Sequence, residues 1–229
     1  MNITLPPQKT PFARPTTRAA FTLVELLAVI TIIGVLAAII LSVISRVRES
    51  ARNAQCISNL RQIGVAARLY ADEHKGLSSQ TTGRPYFYEA LWPCAYSVPI
   101  RNNTAGQNEL PNNLTGTIFE CPKAKDDIEP PRRSYGINNL LSPTVTITDS
   151  TGTDRKLIQV HRVEVPAKAA FFGDSLKSSG LSNQGTNQTW NERHSGKMNV
   201  CFVDGHVAAV RVTGTELETN KSHTFWTGK

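Results

Sequence analysis

The chain has 229 residues, with 25 Lys and Arg against 18 Asp and Glu, and a formal net charge of +7. That length suits one modest domain beyond a leader and a stalk. The basic excess is small and holds no Lys/Arg run interleaved with aromatics, which argues against specific nucleic-acid binding. The four cysteines, at 56, 94, 121 and 201, include no Cys-x-x-Cys pair and form no zinc pattern.

Residues 1–20 form a leader with no acid, three bases (Lys9, Arg14 and Arg18) and no apolar core. Without it the charge falls to +4, from 22 bases and 18 acids. Phe21–Ser45 follows, 25 residues with a single charge, Glu25. At a rise of about 1.5 Å per residue, such a helix spans roughly 37 Å, enough for a hydrocarbon core of about 30 Å. It is too long and too uniformly apolar for an ordinary core helix, so it is predicted to span a membrane. In a secretory signal the apolar region precedes the cleavage site; here it follows the leader. Bases ahead of the span place the leader in the cytoplasm and the rest of the chain outside it. A carboxylate inside a span costs on the order of 2.5–3.5 kcal/mol. Glu25 therefore either lies at headgroup level near one end of the span or has a cationic partner.

The run Ala20-Phe21-Thr-Leu-Val-Glu25-Leu-Leu-Ala-Val-Ile30, behind a short basic leader, resembles the processing site of type IV pilins and type II secretion pseudopilins. The resemblance implies that a prepilin peptidase cuts between Ala20 and Phe21 and that Phe21 is then N-methylated. Ala20 stands where the family usually has Gly; it is the next smallest residue and does not exclude cleavage. The resemblance also implies a partner for Glu25, the amino-terminal ammonium of Phe21 in a neighbouring subunit. Such a pair offsets part of the desolvation of both ions and sets the axial register of a filament. The implied partners are like subunits, the prepilin peptidase and secretion or pilus platform proteins, with membrane lipid around the span before assembly. The implied location is the inner membrane, single-pass with the head outside the cytoplasm, and then a periplasmic or extracellular filament.

Arg46–Glu73 keeps a helical period, apolar at Val47, Ala51, Ala54, Ile57, Leu60, Ile63, Ala67 and Tyr70. Arg48, Arg52, Gln55, Asn59 and Arg68 fall opposite. The span is thus predicted to continue to His74-Lys75-Gly76, where Gly stops it. Its second half needs a cover, which a globular head supplies. The expected architecture is α+β, a pilin-like lollipop: a helix over 21–75, apolar over 21–45, packed on a C-terminal antiparallel sheet within a head of residues 76–229. Leu77–Pro131 reads mainly as loop, with a short helix from Tyr86 and a short strand over Thr117–Cys121. An exported head can oxidise a cysteine pair. Cys94 with Cys121 is the favoured choice, because both sit in loop-like sequence; free buried thiols are the alternative. Leu157–Val165 alternates, and Ala169–Gly173 is a short buried run. Met198–Val203 and His206–Val212 flank Asp204-Gly205, the signal for a hairpin over 198–212 with a type I′ turn.

His194, nine intervening residues and then Asp204-Gly205 resemble the His-x9-Asp-Gly region of a large subfamily of prepilin-like proteins. Cys56-Ile-Ser-Asn-Leu-Arg-Gln-Ile, Phe119-Glu-Cys-Pro122, Ser134-Tyr-Gly-Ile-Asn138 and Phe172-Gly-Asp174-Ser175 fit the same subfamily. This second resemblance implies a pilin-like fold and processing, and no chemistry. Three roles are open to Asp174, His194, Asp204 and His206: turn hydrogen bonds, a bound calcium or zinc, or acid–base catalysis. The turn position of Asp204-Gly205 favours the first, and Asp174, at a strand end, is the calcium candidate. Asp126, Asp127 and Glu129 form a second acidic cluster, read as a solvated loop. No Gly-x-Ser-x-Gly or His-Glu-x-x-His is present, so a non-enzymatic filament subunit is the preferred reading. The alternatives are a tip subunit that grips a surface or polysaccharide, and an exported enzyme behind a pilin-type leader. Filament building alone accounts together for Glu25, the order of leader and span, and the unbroken helix.

Overall fold

The computed structural model describes residues 22–81, 86–96, 101–102, 108–109, 114, 116–125, 134–148, 152–176, 180–181 and 189–229. Ala20, Phe21, and the cluster Asp126, Asp127 and Glu129 lie outside the described residues. The chain divides into two units, Met1–Val47 and Arg48–Lys229. The boundary falls inside the long helix, so its second half belongs with the head.

In the first unit the described residues are the start of helix α1 (Leu23–Glu73). All of Thr22–Val47 is exposed, with Leu23 at 81% and Leu41 at 68%. Among the described residues, α1 is the helix long and apolar enough to cross a membrane. Open apolar surface costs roughly 25 cal/mol per Å² in water, so this segment requires lipid or protein around it.

The second unit continues from α1 through β1 (Leu77–Gln80), α2 (Phe87–Tyr96) and the two-residue strands β2 (Arg101–Asn102) and β3 (Asn108–Glu109). Then come β4 (Tyr135–Asn138), β5 (Thr144–Thr148), β6 (Asp154–Gln159), β7 (Ala170–Asp174) and β8 (Gly180–Leu181). The chain closes with β9 (Met198–Phe202), β10 (Val207–Val210) and the short helices α3 (Glu216–Thr219) and α4 (Thr224–Thr227). The main sheet has the order β10-β9-β7-β4-β8, a second sheet has the order β1-β6-β5, and β2 pairs with β3. The fold is α+β, a long helix followed by sheets. The main sheet is mixed rather than purely antiparallel, because β4 and β8 run parallel.

Successive residues of β9 face opposite sides, as the pleat requires. Met198, Val200 and Phe202 pack with Ala170, Leu181, Val212, Phe225 and Trp226. Cys201 packs on the other side, in the cluster that holds Leu60, Ile63 and Ala67 of α1 with Phe87, Phe119 and Phe172. This covers the second half of α1 on the predicted stripe from Leu60 to Ala67, while the start of that stripe stays open. Val47, Ala51 and Ala54 are exposed, whereas Cys56 and Asn59 are buried. Two tethers hold Cys56 and Asn59 inward: Cys56 is disulfide-bonded to Cys121, and Asn59 Nδ2 donates to the Glu120 carbonyl at 2.8 Å. The helix ends through Lys75 (φ 57°) and Gly76 (φ 81°), and Gly76 N–H donates back to the Ala71 carbonyl. The left-handed step thus begins at Lys75, one residue before the expected Gly.

Four local expectations need correction. The Cys94–Cys121 pairing does not form: Cys121 is bonded to Cys56, with Cα atoms 5.1 Å apart, and Cys94 is a free thiol. Cys94 lies in α2 rather than in a loop. Thr117–Cys121 is a series of turns, not a strand. Thr117 Oγ1 accepts from Phe119 N–H, and Glu120 Oε2 accepts from Gly116 N–H, so side chains capture donors that a ladder would need. The alternating run from Leu157 leaves the sheet at Gln159 and turns through a 3₁₀ segment at Val160–Arg162. The hairpin of β9 and β10 forms, but its loop has three residues. Gly205 N–H donates to Phe202 O, Phe202 N–H donates to His206 O, and Gly205 alone takes a left-handed φ of 92°. That is a turn closed by a glycine bulge, because type I′ would require positive φ at Asp204 as well.

Candidate functional site

At the start of α1, Thr22 and Glu25 form a reciprocal cap. Thr22 N–H and Thr22 Oγ1 both donate to Glu25 Oε2 at 2.9 Å, and Glu25 N–H donates to Thr22 Oγ1 at 3.3 Å. This is the Thr-x-x-Glu capping box, which satisfies orphan donors of the first turn. A carboxylate there also complements the helix dipole. The cap is written in the sequence as Thr22-Leu-Val-Glu25.

The second site lies in the head. A tight turn places His194: His194 and Lys197 exchange backbone hydrogen bonds at 3.1 Å, around Ser195 (φ 54°) and Gly196 (φ 71°). Two successive positive φ values make this the type I′ turn. It aims the His194 ring inward, where it is 5% exposed. There His194 Nε2 lies 3.3 Å from Asp174 Oδ2 and 3.5 Å from Cys121 Sγ. Asp174, fully buried at the end of β7, also accepts from Asn199 N–H at 2.7 Å. Pairing of β7 with β9, Gly173 opposite Val200, brings these strands together. Tyr135 Oη donates to the Cys56 carbonyl at 3.3 Å. Burial raises its phenol pKa well above the ordinary value, and the charge of Asp174 adds to the rise. Arg193 donates to the carbonyls of Ser175 and Ser134, and the Ser134 hydroxyl accepts from Cys121 N–H at 2.7 Å.

Carboxylate, imidazole and sulfur stand in the order of a nucleophile set. The sulfur is held in a disulfide, however, and has no proton to surrender, and every member is shut away from solvent. The arrangement cross-links α1 to the segment ahead of β4 and positions a polar cluster beneath the main sheet.

Asp204 and His206 lie elsewhere, on the hairpin loop. Asp204 Oδ1 accepts from His206 N–H at 3.1 Å and lies 2.6 Å from His206 Nδ1. Partial burial works to raise the Asp204 pKa, but the bonds from His206 outweigh it and the net direction is down. The four sequence candidates are therefore two separate pairs, Asp174 with His194 and Asp204 with His206. The partners that sequence reasoning missed are Cys56 and Cys121 as neighbours of His194. A cleft of about 240 Å³ opens near the hairpin, lined in part by Arg68, Asp72 and His161. It is smaller than the roughly 300–1,000 Å³ of ordinary ligand sites.

Two family models match the chain. Residues 16–41 match one described as the prokaryotic N-terminal methylation motif, and residues 45–92 match one described as a protein of unknown function (DUF1559). No curated protein and no solved structure matches it. The first match contains Ala20, Phe21 and Glu25; the second contains Cys56 and the buried face of α1.

Proposed function

We propose, from the match to the prokaryotic N-terminal methylation motif over residues 16–41 and the match over residues 45–92, that the chain is a type IV pilin-like protein and serves as a structural subunit of a pilus or of a type II secretion pseudopilus. The motif implies processing by a prepilin peptidase and assembly with like subunits. The motif and the long apolar helix are consistent with membrane anchoring before assembly. On this reading the peptidase cuts between Ala20 and Phe21, Phe21 is N-methylated, and Glu25 pairs with the Phe21 ammonium of the next subunit. Platform proteins of the secretion or pilus machinery move the subunit from the inner membrane into the filament.

The observation that carries the reading is the first half of α1. From Thr22 to Val47 every residue is exposed, and the single acid sits in the first turn. Other copies of the same helix would cover that surface and supply the cation. Amino-terminal sequencing of the membrane-bound form is the direct test. It should begin at N-methylated Phe21, and a mature chain that begins at Met1 would defeat the proposal. Glu25→Gln should be processed normally yet fail to appear in filaments; wild-type filaments from that variant would remove the pairing.

A further inference from the structure

Three buried donor groups converge on one point of the head from three parts of the chain, and a fourth, Asp174, stands beside one of them. Cys56 comes from α1, Cys121 from the turns after α2, Asp174 from the end of β7, and His194 from the turn before β9. Their exposures are 0% for Cys56, Cys121 and Asp174, and 5% for His194. The two sulfurs and a His194 ring nitrogen all lie within 4.8 Å of one another. His194 Nε2 stands 3.5 Å from Cys121 Sγ and 3.3 Å from Asp174 Oδ2. A zinc ion bonded at about 2.0–2.3 Å holds tetrahedral ligands roughly 3.3–3.8 Å apart. Two edges of such a tetrahedron, His194 to Cys121 and His194 to Asp174, are thus already at length, and the two sulfurs must part from their bond to take up a third. A second observation points to a ligand. Asp174 Oδ1 is buried without a hydrogen-bond partner among the described residues. Its Oδ2 already faces His194 Nε2 and accepts from Asn199 N–H, so Oδ1 is the buried acceptor still open to a ligand.

We infer that Cys56, Cys121 and His194, with Asp174 as the fourth donor, form a site for a soft divalent cation of the zinc class whenever the Cys56–Cys121 bond is open. Two thiolates, an imidazole and one carboxylate suit zinc better than calcium, which needs six or more oxygens. Loading is a two-electron exchange. A dithiol reductant breaks the S–S bond and closes into its own disulfide. Both cysteine sulfurs are left as thiolates on the cation, and the two protons of the dithiol pass to solvent. The cation then replaces one cross-link between α1 and the 114–121 segment with another, so the head keeps its closure in either redox state. The Asp204–His206 pair takes no part.

The test uses the full-length chain in detergent micelles, carrying Cys94→Ser to remove the more accessible spare thiol. The protein is reduced with dithiothreitol, desalted without air, and titrated with Co²⁺ and then Zn²⁺, with near-ultraviolet circular dichroism as a check on folding. One Co²⁺ per chain is expected, with near-ultraviolet thiolate-to-cobalt absorption and the visible bands of a tetrahedral site, displaced by Zn²⁺. The oxidised chain should show none of these bands. Cys121→Ser should abolish them, and His194→Asn should weaken binding by at least about tenfold, the loss that even indirect metal partners produce. Zn²⁺ should raise the melting temperature of the reduced chain and leave that of the oxidised chain unchanged. The inference is overturned if the reduced, folded chain shows no thiolate bands, or if they persist unchanged in Cys121→Ser or His194→Asn. It is equally overturned if the reduced chain loses its near-ultraviolet signal and Zn²⁺ does not restore it.

Discussion

Gly64 of α1 meets Cys201 of β9 with no room for a side chain between them: a Cβ at Gly64 would come within 2.6 Å of Cys201 Sγ. Both residues are buried, so neither can swing into solvent. A glycine that looks like a weak point in a helix is a place where helix and sheet approach closely. Gly64→Ala should destabilise the head by about 1–3 kcal/mol, the usual cost of overpacking, despite the better helix propensity of Ala. Cys201→Ala should recover much of that loss when the two are combined. Chemical denaturation of both single variants and the double variant checks the coupling; additive effects would mean that the contact is not tight.

The Cys56–Cys121 bond closes a sequence separation of 65 residues. On the chain-entropy account, a loop of that size stabilises by about 4 kcal/mol, and loss of a native bond usually costs about 2–5 kcal/mol. Cys121→Ser should therefore lower the unfolding free energy by that amount in metal-free buffer. Cys94→Ser, at a half-buried free thiol, should change it by less than about 1 kcal/mol. Peptide mapping without reduction should recover a linked pair that contains Cys56 and Cys121. A linked pair that contains Cys94 would refute the assignment.

Alkaline stability follows from two buried acids. Burial pushes the Cys201 thiol from its ordinary 9.0 up to about 12, with Asp204 adding to the rise. Burial likewise raises Tyr135 well above 10.0. Each group is neutral in the fold at pH values where the unfolded chain would already have ionised it. Their contribution is complete below the unfolded pKa and is lost as pH climbs toward the folded one. Each such group removes about 1.4 kcal/mol of stability per pH unit inside that window. Denaturation midpoints should be unaffected by these two groups up to about pH 8 and fall from pH 9 upward. Cys201→Ala should flatten the start of that fall, and Tyr135→Phe the part above pH 10. An unchanged slope in Cys201→Ala would show that its thiol ionises freely in the folded state.

Several features were legible in local sequence because local physics decides them. The length and uniform apolarity of Phe21–Ser45, the helical period to Glu73 and the β-rich runs around Asp204-Gly205 each point to one element. The features that sequence missed depend on contacts across the fold. Cys56 is three to four residues from Asn59 and Leu60, on the same face, yet loop character favoured Cys94 over a cysteine on a helix. Asn59 reads as polar and therefore exposed, whereas a carbonyl from Glu120 makes its burial acceptable. The type I′ geometry sits at Ser195-Gly196 rather than Asp204-Gly205, because Ser seldom adopts positive φ and gives a weak signal. The meeting of His194 with Asp174 rests on the pairing of β7 with β9, which no spacing in the chain announces.

The cap between Thr22 and Glu25 gives the proposed assembly role of Glu25 a test. Both donors from Thr22 fall on a single oxygen, Glu25 Oε2, at 2.9 Å. They hold the carboxylate over the helix start, and on the proposed reading Oε1 is the oxygen that takes a donor from another subunit. On the proposed reading, the cap prepares Glu25 for the incoming ammonium by fixing its rotamer before the pair forms. Thr22→Val keeps the shape and removes the hydroxyl, at a cost of about 1 kcal/mol in helix capping. It should leave the amino terminus correctly processed, as mass spectrometry would show, while the fraction of protein recovered in sheared filaments drops several-fold against the membrane pool. Thr22→Ser, which restores the hydroxyl, should return that fraction to the wild-type level. If Thr22→Val assembles as well as wild type, the cap serves only the helix end, and Glu25 reaches its partner without help from Thr22.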